Sequence, residues 1–193
     1  MPIEPDDEEA SFNREFMPIA RVWADPASDG LPARISSEAP QILARYPRFR
    51  RCVEEQRHAG LAHWYERRGE LPHAVGTYRI LLRRRLLETP QSRIILYGHI
   101  AFLLLQMGQI GEARRASNRG LNLAVRDRHA LMCITRLSDL AKLGPVRPTP
   151  LRLRAFRIAE GKTPPGEARH HPARFAEAIL QAWRERNSPR ATS

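Results

Sequence analysis

Residues 58–124 read HAGLAHWYERRGELPHAVGTYRILLRRRLLETPQSRIILYGHIAFLLLQMGQIGEARRASNRGLNLA, and one short phrase within them occurs twice. GELPHA, from Gly69 to Ala74, returns as GQIGEA, from Gly108 to Ala113. Each copy follows an apolar or aromatic-rich pattern of helical period and precedes a second helical pattern. Glycine at the stop supplies the left-handed residue that closes a helix. The small residues beyond it let the next helix come close. The doubled phrase predicts two helical hairpins.

Working outward, the spacing predicts a long helix from Arg48 to Arg68, with Phe49, Cys52, Val53, Ala59, Leu61, Ala62, Trp64 and Tyr65 as its apolar surface. The next begins near Leu71, tolerates Pro72 in a first turn that has no internal bond to lose, and is ended by Thr89-Pro90. Its stripe is Leu71, Ala74, Val75, Tyr78, Leu81, Leu82 and Leu86. The third, Gln91 to Met107, is apolar nearly all round, as an element at the centre of a stack should be. A fourth runs from Ile110 to about Val125, and a fifth, capped by Asp127, from Arg128 to Leu143. Beyond GPVRPTP come a short helix from Leu151 to Ala159, a loop over 161–172, and a last helix from Ala173 to Arg186 carrying Phe175, Ile179, Leu180 and Trp183.

The fold class read from this pattern is all-α. Residues 41–144 form the repeat core, 145–187 a C-terminal helical extension and 188–193 a disordered tail. Residues 1–40 are expected to be acidic and largely disordered or loosely packed, because Pro2, Pro5, Pro18, Pro26, Pro32 and Pro40 interrupt them. One amphipathic piece stands out there: Phe12, Phe16, Ile19, Ala20 and Trp23 after Ser11 as a candidate N-cap, with Pro18 expected to break or kink it.

Composition narrows the class. The chain has 193 residues, 42% hydrophobic and 27% charged, which suits a globular domain with tails. Cys52 and Cys133 lie inside apolar helical patterns and read as buried, reduced thiols. The longest apolar run, Ile94 to Met107, carries His99 and falls short of the roughly 20 residues a membrane span needs. With an acidic opening, MPIEPDDEEA, in place of a signal peptide, the expected location is the cytoplasm. The net charge of +11 is uneven: residues 1–40 hold 3 Arg against 9 acids, residues 41–144 hold 19 basic against 8 acidic, and residues 145–193 hold 10 against 4. Only Lys142 and Lys162 are lysines, so an Arg-rich coding bias accounts for the balance as readily as a polyanionic partner does.

Residues 55–125 resemble two tetratricopeptide repeats (TPR), two-helix units that stack into a curved solenoid. Leu61, Ala62 and Tyr65, Gly69, then Ala74 and Tyr78 stand at the family's positions in the first unit. Tyr97, Ile100, Ala101 and Leu104, Gly108, then Ala113 and Gly120 stand there in the second. The step from Gly69 to Gly108 is 39 residues, longer than the family's, Ser117 replaces an aromatic, and Val125 stands where a proline is usual. The resemblance implies antiparallel helical hairpins stacked as a short TPR-like solenoid with capping helices. It also implies a binding module, an adaptor, scaffold or chaperone-like protein of bacterial type that holds a peptide or a helix in a concave groove. Carried over residue by residue, that groove takes Gln56, His63 and Arg67 from the first unit, Phe102 and Gln106 from the second, and Lys142 from the capping helix.

Catalytic patterns are sparse, and an enzyme is not expected. Glu55 to His58 and Glu70 to His73 both match the E-x-x-H of diiron bundles, but the helix over Ile94–Met107 has no acid to complete such a site. His170-His171 lack further ligands at metal spacing, and Gly161-Lys162-Thr163 lacks the glycine of a phosphate loop. No metal and no cofactor are expected. The expected partner is another protein or peptide, an acidic one suiting the basic body, with no membrane. The alternative is a basic helical nucleic-acid-binding regulator. It rests on an Arg face of Arg79, Arg83, Arg84 and Arg85 on one helix with Arg114, Arg115 and Arg119 on another, and on a helix-turn-helix flavour over residues 137–157. The plainer reading of those arginines is a solvated helix face.

Overall fold

Four helices end in the same way. Gly69, Gly108, Arg85 and Arg128 are left-handed, with φ of 74°, 73°, 53° and 51°. The amide after each reaches back to a carbonyl five residues earlier: Glu70 N to Tyr65 O at 2.9 Å, Gln109 N to Leu104 O at 2.8 Å, Leu86 N to Leu81 O at 3.1 Å and His129 N to Ala124 O at 2.9 Å. This is the six-to-one bond of a Schellman stop, which satisfies orphan carbonyls and reverses the chain within about three residues. Two of the four stops use glycine, as expected. The other two use arginine, which pays a steric penalty in that region.

The computed structural model describes residues 5–160 and 172–187, with side chains for 7–159 and 174–181. These residues are helical, and no strand occurs among them. The helices are α1 (Pro5–Trp23), α2 (Leu31–Arg45), α3 (Arg50–Arg67), α4 (Leu71–Arg83), α5 (Pro90–Gln106), α6 (Ile110–Arg126), α7 (Ala130–Lys142), α8 (Pro150–Glu160) and α9 (Pro172–Asn187). None of them is long and apolar enough to cross a membrane. The predicted loop over 161–172, except Pro172, the His170-His171 pair, Gly161 to Thr163 and the tail lie outside the described residues.

Three boundaries move. Helix α4 stops at Arg83, well before Thr89-Pro90, because Arg85 takes the left-handed stop. Thr89 opens the next helix instead: its Oγ1 accepts from Ser92 N at 3.0 Å, and Pro90 sits in the first turn. Asp127 caps the end of α6, and His129 precedes α7.

The chain divides into two compact units, residues 1–88 and 89–193. In the first, the reading of 1–40 as loosely packed is corrected. Helix α1 runs unbroken through Pro18 and α2 through Pro40. Phe12, Phe16, Ala20, Trp23, Leu31, Ile35, Ala39 and Ile42 are all buried in one cluster with Val53 of α3. Burying a large apolar side chain contributes roughly 1.5–3 kcal/mol, so several of them outweigh the ~3 kcal/mol of an interior proline. Phe12 stacks on Phe49 with centroids 4.1 Å apart and on Phe16 at 4.9 Å. Ser11 lies inside α1, whose first turn instead carries Asp7 and Glu8 toward the positive end of the helix dipole. Trp23 Nε1 donates to Glu38 Oε2 at 2.8 Å, which ties α1 to α2. Gly60 lets α3 approach: a Cβ there would lie 2.3 Å from the Trp23 carbonyl oxygen. Helices α3 and α4 form the first hairpin, with Tyr78 Oη donating to Glu66 Oε2 at 3.0 Å beside His63 Nδ1 at 2.9 Å. At the open end Arg51 donates to the carbonyls of Leu86 and Leu87, each at 3.0 Å.

In the second unit α5–α6 and α7–α8 are hairpins, and α9 packs on α7. The predicted border at 144/145 disappears here. Val146, Ala155, Phe156, Ala159, Phe175 and Ile179 share one core with Ile94, Leu121, Ala124, Cys133, Ile134, Leu137 and Leu140. Cys133 is buried, and burial pushes its thiol up to about 11, whereas Cys52 is exposed, against the expectation of two buried thiols.

Two substitutions test these constraints. Arg128→Gly removes the left-handed penalty at an exposed position and should raise stability by about 1 kcal/mol in denaturant titration; an unchanged or lower midpoint contradicts the account. Gly60→Ala should cost about 1–3 kcal/mol, because the backbone of Trp23 cannot yield as a side-chain end would, and a neutral result would mean that α1 does not rest on α3.

Candidate functional site

A cavity of about 260 Å³ opens in the second unit, lined by Gly98, Ala101, Phe102 and Leu105 of α5, Ser117 of α6, and Asp139, Lys142 and Leu143 at the end of α7. Its position follows from the packing of α5 beside α7, each being the first helix of a hairpin. They lie beside each other across the groove, and α6 closes behind them. Phe102 and Leu105 are large apolar side chains left 53% and 41% exposed at this lip. Ser117, fully buried, is too short to fill the space that an aromatic side chain at that position would take.

Behind the groove lies a buried charge. Arg136 of α7 is 8% exposed. Its guanidinium occupies the place a side chain at position 98 would need: a Cβ on Gly98 would fall 1.2 Å from Nη1. Its stem passes Gly120, where a Cβ would lie 3.3 Å from Cδ. Gly98 is therefore what admits the arginine, whereas at Gly120 the nearer neighbour of an added Cβ is Tyr97 Cβ at 3.1 Å. Nη2 meets Asp139 Oδ2 at 3.0 Å. Nε and Nη1, like the buried hydroxyls of Ser117 and Ser138, meet no hydrogen-bond acceptor among the described residues. Burial holds the Arg136 guanidinium below its usual range against the pull of Asp139, and lifts the Asp139 carboxyl above its own against Arg136 and Lys142. In both partners desolvation outweighs mutual attraction, as for a buried pair that an apolar pair could replace.

Of the six predicted groove residues, Phe102 and Lys142 line this cavity. Gln106 is exposed one turn beyond Phe102 and is not among the lining residues. Gln56, His63 and Arg67 belong to α3 of the other unit. There His63 joins Tyr78 and Glu66 in bracing the α3–α4 hairpin. Tyr78 is buried, and its hydroxyl is pushed far up by burial and by Glu66. The residues missed were Gly98, Ser117, Arg136 and Asp139. The available signal was a lone arginine between Cys133, Ile134, Leu137 and Leu140 on an apolar stripe, with a glycine inside each of two neighbouring helices.

The predicted Arg face divides in the same way. Arg79, Arg83, Arg84 and Arg85 belong to α4 and its stop, and Arg114, Arg115 and Arg119 to α6 of the other unit. Arg84 Nη1 pairs with Glu54 Oε2 at 3.5 Å, and Arg114 Nη2 donates to the Leu143 carbonyl at 2.8 Å. The E-x-x-H patterns resolve into local pairs. His58 Nε2 meets Glu54, not Glu55, at 3.2 Å, and His73 Nδ1 meets Glu70 at 3.4 Å. Burial, with Arg57 and Arg84 nearby, holds His58 below its usual range despite Glu54. Among the described residues no three His, Cys, Asp or Glu side chains gather as metal ligands would. Comparison of the chain with protein-family models, curated proteins and solved structures finds no match.

The pair is open to a direct test. Asp139→Asn leaves the Arg136 charge buried and unopposed and should cost about 3 kcal/mol in urea unfolding, while Arg136→Met with Asp139→Leu should stay near wild type or exceed it. A double variant as unstable as the single would show that the pair, not its desolvation, governs this site.

Proposed function

We propose that the chain is a non-enzymatic protein-interaction module, an adaptor or chaperone-like scaffold of tetratricopeptide type, that takes a peptide or a partner's helix into the groove between α5 and α7. The observation that carries this reading is the lip itself. Phe102 and Leu105 stand exposed beside a concave apolar surface whose far edge holds Asp139 and Lys142. Large exposed apolar side chains next to a concavity mark binding surfaces, and rim charges select orientation and partner more than they add affinity. The doubled stop at Gly69 and Gly108 and the close helix crossings support a repeat of the tetratricopeptide kind. So does the coincidence of Phe102 and Lys142, assigned to a groove by that resemblance, with the cavity lining. The departure at Ser117 fits the same reading, since an aromatic there would close the groove.

Selection of a displayed random-peptide library on the intact protein should enrich sequences with one or two large apolar residues. Phe102→Glu should weaken the selected peptide at least about tenfold, in the range of a buried anchor lost from an interface. Ile110→Glu, at an exposed apolar position outside the lining, should leave it unchanged. Failure of any peptide to enrich, or equal loss with both variants, would contradict the assignment.

A further inference from the structure

The charge of the chain belongs entirely to one unit. Residues 1–88 hold 14 basic and 14 acidic side chains, whereas residues 89–193 hold 18 basic and 7 acidic, so the second unit carries the whole net charge of +11. Coding bias toward arginine acts on both units alike and does not produce that division. Pairing differs as well. In the first unit Arg34 meets Glu38, Arg45 meets Glu15, Arg48 meets Glu8, Arg57 and Arg84 share Glu54, and Arg68 meets Asp29. In the second, Arg119, Arg147, Arg154 and Arg157 are exposed with no carboxylate within 4.0 Å among the described residues.

Arg119 belongs to a longer row. Arg115, Arg119, Asn122 and Arg126 recur at four, three and four residues and form one exposed stripe along α6. It spans roughly 16 Å at 1.5 Å per residue. Beside its C-terminal half, α8 contributes Arg154 to a cavity of about 370 Å³ lined by Asn122, Val125, Arg126, Pro150, Leu151 and Arg154. Arg152 fixes the two helices against each other by donating to Asn118 Oδ1 at 3.2 Å and to the Arg147 carbonyl at 2.8 Å. The carboxylates nearest the stripe are Glu112, 3.9 Å from Arg115, and Asp127, 3.8 Å from Arg126, both at the long edge of an ion pair.

From this arrangement we infer that the α6–α8 face binds the phosphodiester backbone of a nucleic acid. Guanidinium groups match phosphate oxygens two at a time, and a row of them along a helix follows a chain of phosphates as it would not follow a single anion. An anionic membrane is the weaker match, because interfacial binding needs apolar side chains to insert. Among the described residues of this unit the large exposed apolar side chains, Ile95, Phe102, Leu105, Ile110 and Leu131, belong neither to the stripe nor to α8. The surface is separate from the α5–α7 groove and stands whether or not a peptide binds there.

Fluorescence anisotropy of the full chain with a short duplex DNA and with a single-stranded RNA of equal length tests this. Across about 50–200 mM salt, log Kd should change linearly with log salt, with a slope of roughly 0.9 per phosphate contacted for duplex and 0.7 for single strand. Arg119→Gln with Arg154→Gln should weaken binding and reduce that slope by about 2. Arg126→Gln with Arg157→Gln should act likewise, and Arg83→Gln with Arg68→Gln, in the neutral unit, should not. Unfolding midpoints should stay at wild type, since neither Arg119 nor Arg154 has a folded-state partner. The inference is overturned by absence of binding at low salt, by slopes unchanged in both α6–α8 variants, or by binding to polyglutamate or phosphatidylserine vesicles as tight as to either nucleic acid.

Discussion

The left-handed stop is the constraint on which the structure depends. A helix closed by a Schellman bond reverses direction within three residues, as at Arg68–Glu70, Met107–Gln109 and Asp127–His129. The next helix has to run back along the one just ended, so each apolar stripe finds its partner locally. The depth of that contact is set by small residues. Gly60 admits the end of α1, Gly98 admits the Arg136 side chain, and Gly120 lets α6 lie close against Tyr97 and the Arg136 stem. Stop and crossing together place α5 and α7 on either side of the groove and α6 behind it.

Charge is distributed against that frame with two different outcomes. In the first unit basic and acidic side chains balance and largely pair with one another, while the aromatic cluster around Phe12, Phe16 and Trp23 supplies the cohesion. In the second, Arg136 is taken inside and held by Asp139, Arg114 and Arg152 brace α6 against neighbouring segments, and Arg115, Arg119, Arg126, Arg154 and Arg157 face solvent along α6 and α8. A residue type enriched throughout the chain thus has three structural roles, and only its partners distinguish them.

The helices and the glycine stops were legible in the sequence because both are local. Periodicity marks a buried stripe, and a glycine after it marks a left-handed end. The stops at Arg85 and Arg128 were not legible, since nothing local distinguishes an arginine forced into that region by the packing on either side. The same holds for α1. Pro18 argues against a helix on local grounds, and only the burial of Phe12, Phe16, Ala20 and Trp23 against residues far along the chain overrides it. The boundary at 88/89 was hidden because residues 84–89 continue the apolar rhythm of α4 after its hydrogen bonding has stopped. Phe102 and Lys142, assigned to a groove by the resemblance, do line the α5–α7 cavity. Arg136, Gly98 and Gly120 needed three separate helices to be brought together before their relation could be seen.

Residue-resolved amide hydrogen exchange tests the organising constraint most directly. The amides of Glu70, Leu86, Gln109 and His129 lie just beyond helix ends, where frayed backbone exchanges freely, yet each is bonded back across a left-handed residue. The account predicts that all four exchange slowly, with protection comparable to the helices they close. Exchange at unprotected rates, with the arginine stops at Arg85 and Arg128 open alongside those at Gly69 and Gly108, would contradict it.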